Sequence, residues 1–265
     1  MKMPVRSIIR APKGKLLIAC DLSQAESWIV AYLADERNMK QALMYSDIHT
    51  ETAANALFHI PMDEVTKETR YIGKRYNHAS AYRMKAERAA QVINKDSDKP
   101  PFVTVTLSQS RVFSKDWHSY YNLKNWWAEI DEKMNRNRTI VTSYGRKRVF
   151  YEAYGPELLK QATAHEPQST VADHFNGALQ PGNEIPGGLT EIYKKLVKPS
   201  NGEVLLLNQS HDSCMLEVPS SSARDLVLEV KSLLYRPVVV RGESVMIPVD
   251  AEMGEWWGEF EKVKS

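Results

Sequence analysis

The chain has 265 residues, 43% hydrophobic and 26% charged, enough for one large or two small domains around a substantial core. Its 35 basic and 33 acidic residues leave a net charge of +2, so a nucleic-acid partner would have to be met by local patches rather than by total charge. Two cysteines exclude a disulfide framework and fit a reducing compartment, and no apolar run approaches the ~20 residues of a membrane span.

The start, Met1-Lys2-Met3-Pro4-Val5-Arg6, lacks the apolar core of a secretory signal, which implies a cytoplasmic protein. Residues 15–20 read as a buried strand ending at Asp21, and Ser23 can cap a helix opening near Gln24. Asp47-Ile48-His49-Thr50-Glu51-Thr52 starts a second helix, broken by Pro61-Met62-Asp63. Residues 66–94 carry a long helical pattern in two pieces, and 95–106, with Pro100-Pro101, read as a loop. A helix is expected over 122–138, with Trp126, Trp127 and Ile130 inward, then a strand over 139–144 and a turn at Gly145 into Arg146-Lys147-Arg148-Val149-Phe150. Further helices are expected over 167–179 and 223–234, separated by a turn-rich insertion at 181–188 and a β-hairpin over 203–218 with His211-Asp212 near its tip. The last strand is expected over 245–249. Neither internal repeat nor low-complexity tail is visible.

Asp21 and Asp212 each follow an apolar run, and Cys20 and Cys214 flank them, a hint that the two strands are neighbours. Paired carboxylates form an oxygen-rich site for a hard cation such as Mg²⁺, which keeps part of its shell for water and phosphate. A zinc site would need two more suitably spaced ligands, and either aspartate taken alone reads more readily as a turn or cap residue. Arg70, Lys74, His78 and Tyr82 step by four residues along a slowly rotating helix face. The bland reading is a solvated face; the sharper one is a nucleotide cradle, Arg70 and Lys74 on phosphates, His78 and Tyr82 against base and sugar. Arg146-Lys147-Arg148, backed by Arg136 and Arg138, suits backbone phosphates or a solvated loop. Tryptophans 117, 126, 127, 256 and 257 read as core or packing residues rather than base-stacking platforms.

Together these stretches resemble DNA polymerases of family A. Asp21-Leu22-Ser23-Gln24-Ala25-Glu26 is similar to the family's first palm motif, and 47–53 to its DIHTxTA segment. Arg70, Lys74 and Tyr82 resemble the nucleotide-binding fingers helix; Ser143-Tyr144-Gly145-Arg146-Lys147-Arg148 resembles the LFGRRR stretch. Residues 167–173 resemble PMQGTAAD, His211-Asp212-Ser213 the HDE motif, and Gly254-Glu255-Trp256-Trp257 the GENW end.

The resemblance implies an α+β fold: a palm of short antiparallel sheet with packed helices (1–59 and 141–265) and an inserted, mainly helical fingers subdomain (60–140). It implies a DNA-directed DNA polymerase that joins deoxynucleoside triphosphates to a primer 3′-hydroxyl on primer-template DNA by a two-magnesium-ion mechanism. Asp21 and Asp212 would hold Mg²⁺, Arg70 and Lys74 the phosphates, with Lys74 also a proton donor to pyrophosphate. Glu26 would exclude a 2′-hydroxyl, Ser23, Gln24, His78 and Tyr82 would line the nucleotide, and Arg146, Arg148, Gln168 and His211 would touch DNA. Four residues depart from the pattern: Ser213 replaces a glutamate, His78 an aromatic Phe or Tyr, Arg83 a glycine and Lys160 an arginine. A thumb and an exonuclease-like domain would precede such a palm, so an N-terminal polypeptide carrying them is the expected partner, as in phage-like split polymerase genes, with no membrane involved. The rivals are a non-catalytic nucleic-acid-binding remnant or accessory subunit, and a two-metal nuclease.

Overall fold

A computed structural model describes residues 8–263. Contacts divide it into two compact units: residues 8–25, 142–146 and 168–263 form the first, residues 26–141 and 147–167 the second. The helices and antiparallel sheets make an α+β fold.

In chain order the elements are β1 (Lys15–Leu22), α1 (Ala25–Leu33), α2 (Arg37–Tyr45), α3 (Ile48–Glu51, continued as a π-helix over Thr52–Phe58), α4 (Lys67–Ala81) and α5 (Ala86–Lys95). Next come α6 (Leu107–Tyr120), α7 (Lys124–Arg136), β2 (Thr139–Val141), β3 (Lys147–Val149), α8 (Pro156–Asn176) and α9 (Gly188–Ile192). The chain continues through β4 (Leu205–Ser210), β5 (Ser213–Pro219), α10 (Ala223–Leu234), β6 (Pro237–Val240), β7 (Glu243–Met246), β8 (Val249–Gly254) and β9 (Glu261–Lys262).

The first unit is built on a five-stranded antiparallel sheet in the order β4-β5-β1-β8-β9. Strand alternation gives its faces different tasks. Ile18, Cys20 and Leu22 are fully buried, and α10 lies on that side, where Lys231 bears electrostatically on Cys20. On the other face Leu17 packs with Ala11 and Met215 beneath Ile9, Trp257 and Phe260. Two steps further, at Ala19 and Asp21, that face opens. Cys20 stands directly opposite Cys214, so the strands flanked by the two cysteines are indeed neighbours. Both thiols are free, and burial pushes both up, that of Cys214 to about 12.

The second unit has an aromatic core of Tyr76, Trp117, Tyr121 and Trp126, all nearly inaccessible to solvent. Among them runs a polar network centred on Asn77. Its Oδ1 accepts from the Trp117 ring N–H at 2.8 Å and lies 2.9 Å from the Thr52 hydroxyl, itself 2.8 Å from the Tyr121 hydroxyl. Such a network rigidifies a core only when satisfied throughout, so α4 is tied to the α3 turn and to α6 by polar as well as apolar contacts.

Three expectations need correction. The helix expected over 167–179 begins at Pro156, and Pro167 lies inside it. Proline favours the first helical turn because it lacks an N–H, but here the flanking residues hold the helix through it. The strand expected over 245–249 is divided: β7 ends at Met246 and β8 begins at Val249, with Pro248, which has no amide to donate, between them. Trp256 is 36% exposed with the Arg10 guanidinium over its ring, not a core residue. Helix α6 escaped notice because its stripe is short, although its Thr106–Gln109 capping box is written in the sequence.

Candidate active site

In the first unit, register decides what meets what. Asp21 is the last exposed residue of β1, opposite Ser213 on β5 and Asp250 on β8. The Leu22 amide donates to the Asp212 carbonyl at 3.0 Å, so both sequence-predicted aspartates sit at the same end of one strand pair. His211 is exposed and takes a left-handed φ of 51° at the hairpin tip. An open cavity of about 320 Å³ is lined here by Asp21, Asn208, Ser213, Asp250, Glu252 and Lys262, among others. Its donors are carboxylate, amide and hydroxyl oxygens, the set that suits a hard cation. Among the described residues no three His, Cys, Asp or Glu side chains converge as a ready-made cage; Mg²⁺ typically takes one or two protein carboxylates and completes its shell with water and substrate phosphate.

Arg146 lies across the surface and grips the buried Asp173 with two guanidinium nitrogens, Nε at 2.9 Å. Nearby, burial pushes the Tyr144 phenol up to about 12 and the His174 imidazole down to about 3; the Tyr144 hydroxyl is 2.9 Å from His174 Nδ1. Arg236, missed by sequence reading, is buried and donates to the carbonyls of His174, Ala178 and Ile185, closing the C-terminal end of α8 with a cation where the helix dipole is negative. Gln168 is exposed on α8. Ser23 and Gln24 form the turn after β1, the Ser23 amide donating to the Pro248 carbonyl at 2.8 Å and Gln24 taking φ 56°.

In the second unit, α4 starts with a Thr66–Thr69 capping box and presents Arg70, Lys74 and His78 as exposed side chains. Arg70 holds Asp47 bidentately, Nε at 3.0 Å and Nη2 at 2.7 Å. Asp47 also caps α3 by accepting from the Thr50 amide. Burial raises its carboxyl, but the bonds from Arg70 and Thr50 outweigh that and bring it down to about 2. Burial lowers His49 to about 3, its ring 5.9 Å from that of His78. Gly73 is required here, since a Cβ would come 2.4 Å from the His49 carbonyl oxygen. At the helix end the Tyr82 hydroxyl donates to Glu26 Oε2, and burial, then the Glu26 charge, holds that phenol well above its ordinary range. Glu26, His78 and Tyr82 line a niche of about 10 Å³, room for about one water.

Arg83 takes a left-handed φ of 62°, a conformation that glycine adopts without steric cost. Its guanidinium offsets that strain by donating to Thr163 Oγ1 and the Trp127 carbonyl and pairing with Asp131 at 2.8 Å. Arg148 donates to Gln161 at 3.1 Å and covers the Phe150 ring.

The sequence model of DNA polymerase family A matches residues 1–259. A thermostable DNA polymerase I of Thermus filiformis is 28% identical over 255 residues, 94% of this chain and 28% of that protein. The DNA polymerase I of Treponema pallidum is 25% identical over 264 residues, 97% of this chain and 24% of its own. The chain therefore spans about a quarter of the length of these relatives. In fold it is similar to the POL domain of Pol1 from M. smegmatis, solved in complex with DNA primer-template and dNTP. The TM-score is 0.74 at 20% identity, over 96% of this chain and 42% of that one. With one family's model running through both units and nearly every residue, the chain belongs to DNA polymerase family A.

Proposed function

We propose that this chain carries the nucleotidyl-transfer centre of a DNA-directed DNA polymerase, with the palm formed by 1–59 and 141–265 and the fingers by 60–140. The observation that supports this most is the β1–β5 register, which brings Asp21 and Asp212 to one end of the sheet beside oxygen donors. In this reading Asp21 and Asp212 hold Mg²⁺. When bound, the cation lowers the pKa of the attacking hydroxyl and offsets charge on the phosphates.

The substrates are a primer-template and a deoxynucleoside triphosphate; the primer 3′-hydroxyl attacks the α-phosphorus and pyrophosphate leaves. Arg70 binds phosphate with N–H groups left over from its two bonds to Asp47, since a guanidinium offers five. Lys74 contributes a point charge and a proton for pyrophosphate. In this reading Glu26, held by Tyr82, excludes a 2′-hydroxyl, and Ser23, Gln24 and His78 are nucleotide-binding residues. Gln168, His211, Arg146 and Arg148 contact the primer-template, and a thumb-bearing segment or partner polypeptide grips the duplex.

Primer extension with Mg²⁺ and four deoxynucleotides, at high protein concentration and low salt, tests this. Extension that Asp212→Ala reduces by about a thousandfold or more is expected, the scale of losing the groups that stabilise transition-state charge. Tight DNA binding without extension, even with a thumb-bearing partner added, would instead support the accessory-subunit reading, which Ser213 beside Asp21 favours.

A further inference from the structure

We propose that Arg83 is a positioning residue for the nucleotide: it clamps the C-terminal end of α4 to α7 and α8, so that the helix bearing Arg70, Lys74 and His78 is set before a nucleotide arrives. This rests on the reading of α4 as the nucleotide-binding helix. The helix closes just past Tyr82, whose hydroxyl donates to Glu26. The Arg83 amide donates to the Ser80 carbonyl at 3.1 Å, and the Met84 amide to the Ala79 carbonyl at 3.0 Å. That pair of bonds is a Schellman closure, in which the left-handed position is most often glycine. A β-carbon there carries a steric cost that a cap alone does not require.

The arginine side chain supplies what glycine lacks. It is 16% exposed, and its Nε donates to Thr163 Oγ1 at 2.9 Å. The buried Thr163 hydroxyl gives its own proton to the Leu159 carbonyl at 2.7 Å, which leaves it an acceptor for Arg83. Nη2 donates to the Trp127 carbonyl at 2.8 Å and forms the ion pair with Asp131, while the guanidinium lies 5.2 Å over the Trp127 ring. Trp127 in turn donates its ring N–H to the Ala81 carbonyl at 3.3 Å, so α4 and α7 hold each other from both sides. Trp126, Ile130 and Met134 bury α7, which makes it a firm anchor. The N-terminal end of α4 has only its local Thr66–Thr69 box and the half-exposed Arg70–Asp47 pair. A helix fixed in advance loses little further freedom on binding, and that preorganisation appears as affinity.

The experiment compares the full chain with Arg83→Gly, Arg83→Lys, Arg70→Ala and Ile130→Val. The last removes one buried methyl from α7 and leaves every partner of Arg83 in place. Dissociation constants for a deoxynucleoside triphosphate are measured with Mg²⁺ on a primer-template whose primer lacks its 3′-hydroxyl, so nothing reacts; affinity for the primer-template is measured separately. Arg83→Gly is expected to weaken nucleotide binding about fivefold with DNA affinity unchanged. Arg83→Lys should recover part of the loss, since it keeps the charge for Asp131 without the fork. Ile130→Val should lower the melting temperature by about 2 °C and leave both affinities unchanged. Amide exchange over 79–84 should be faster in Arg83→Gly, although glycine suits the backbone there; slower exchange would show that the arginine is only a strained cap, and would overturn the proposal. If Arg70→Ala weakens nucleotide binding and Arg83→Gly does not, or if Ile130→Val weakens it as much as Arg83→Gly, the proposal falls and the reading of α4 stands. Nucleotide binding that is absent, or unchanged in Arg70→Ala, takes down the reading of α4 and the proposal with it.

Discussion

The two units position their candidate residues by different means. In the first, backbone register sets the arrangement: a strand ladder carries Asp21 to Ser213 and Asp250, and any side chains at those positions would meet. In the second, side chains hold one another, Arg70 by Asp47 and Tyr82 by Glu26, on a helix fixed by the network around Asn77. A register survives most single substitutions, because its hydrogen bonds belong to the backbone. A side-chain network does not, because each member satisfies a buried partner. The first unit has its own exception in Arg236, whose guanidinium satisfies three carbonyls.

The largest effects on stability should therefore come from the two buried polar hubs. Arg236→Met strips the carbonyls of Ala178 and Ile185 of their donor and takes one from that of His174, which keeps the Gly177 amide, and Asn77→Leu strips the Trp117 ring N–H and the Thr52 hydroxyl of their shared acceptor. Each should cost about 3 kcal/mol, the scale of several buried groups left unsatisfied. Amide hydrogen exchange separates them: Arg236→Met should loosen 168–263 first, and Asn77→Leu 26–141. Equal loosening throughout by either variant would mean that the two units unfold as one.

This contrast also governs what the sequence made legible. Asp21 and Asp212 could be picked out because each ends an apolar strand, and the flanking Cys20 and Cys214 hinted at adjacency that the register bears out. Asp47 could be recognised as a helix start because a cap leaves a local signal. The place of Asp250 opposite Asp21 could not be read, since its partner lies 229 positions away and its strand was misplaced across Pro248. Asn77 and Arg236 left no signal at all: a polar residue on a helix or before a strand reads as solvated until the burying neighbours are known. The Arg70 spacing was visible, but its engagement with Asp47 was not.

An intermediate effect should appear with pH, and here the units behave alike. Burial holds His174 of the first unit and His49 of the second at about 3, whereas an unfolded histidine titrates near 6.5. Both are neutral in the fold, so their stabilisation is complete above about pH 6.5 and is lost as pH falls toward 3, because only the unfolded chain takes up the protons. From about pH 7.5 to about pH 5 each should remove about 2 kcal/mol, seen as a falling urea midpoint. Asp47, depressed to about 2, contributes a separate loss confined below about pH 4. His174→Gln and His49→Gln should each flatten the slope between pH 7.5 and 5, and a slope unchanged in both would place the titrating groups elsewhere.

The smallest effect tests the finest positioning. Tyr82→Phe removes one hydroxyl that donates to Glu26 and should cost about 1 kcal/mol of stability, because the carboxylate keeps partial access to water. Its consequence for sugar selection should be clearer than its stability cost. Under the proposed gate role, Glu26→Ala admits ribonucleotides by removing the obstacle, whereas Tyr82→Phe leaves the obstacle present but unrestrained. Ribonucleotide incorporation should thus rise in the order natural sequence, Tyr82→Phe, Glu26→Ala, measured as the ratio of kcat/KM for ribo- and deoxynucleotide. Selection unchanged in Glu26→Ala would remove Glu26 from the gate. Equal relaxation in both variants would instead make the hydrogen bond itself, rather than the bulk of Glu26, the element that discriminates.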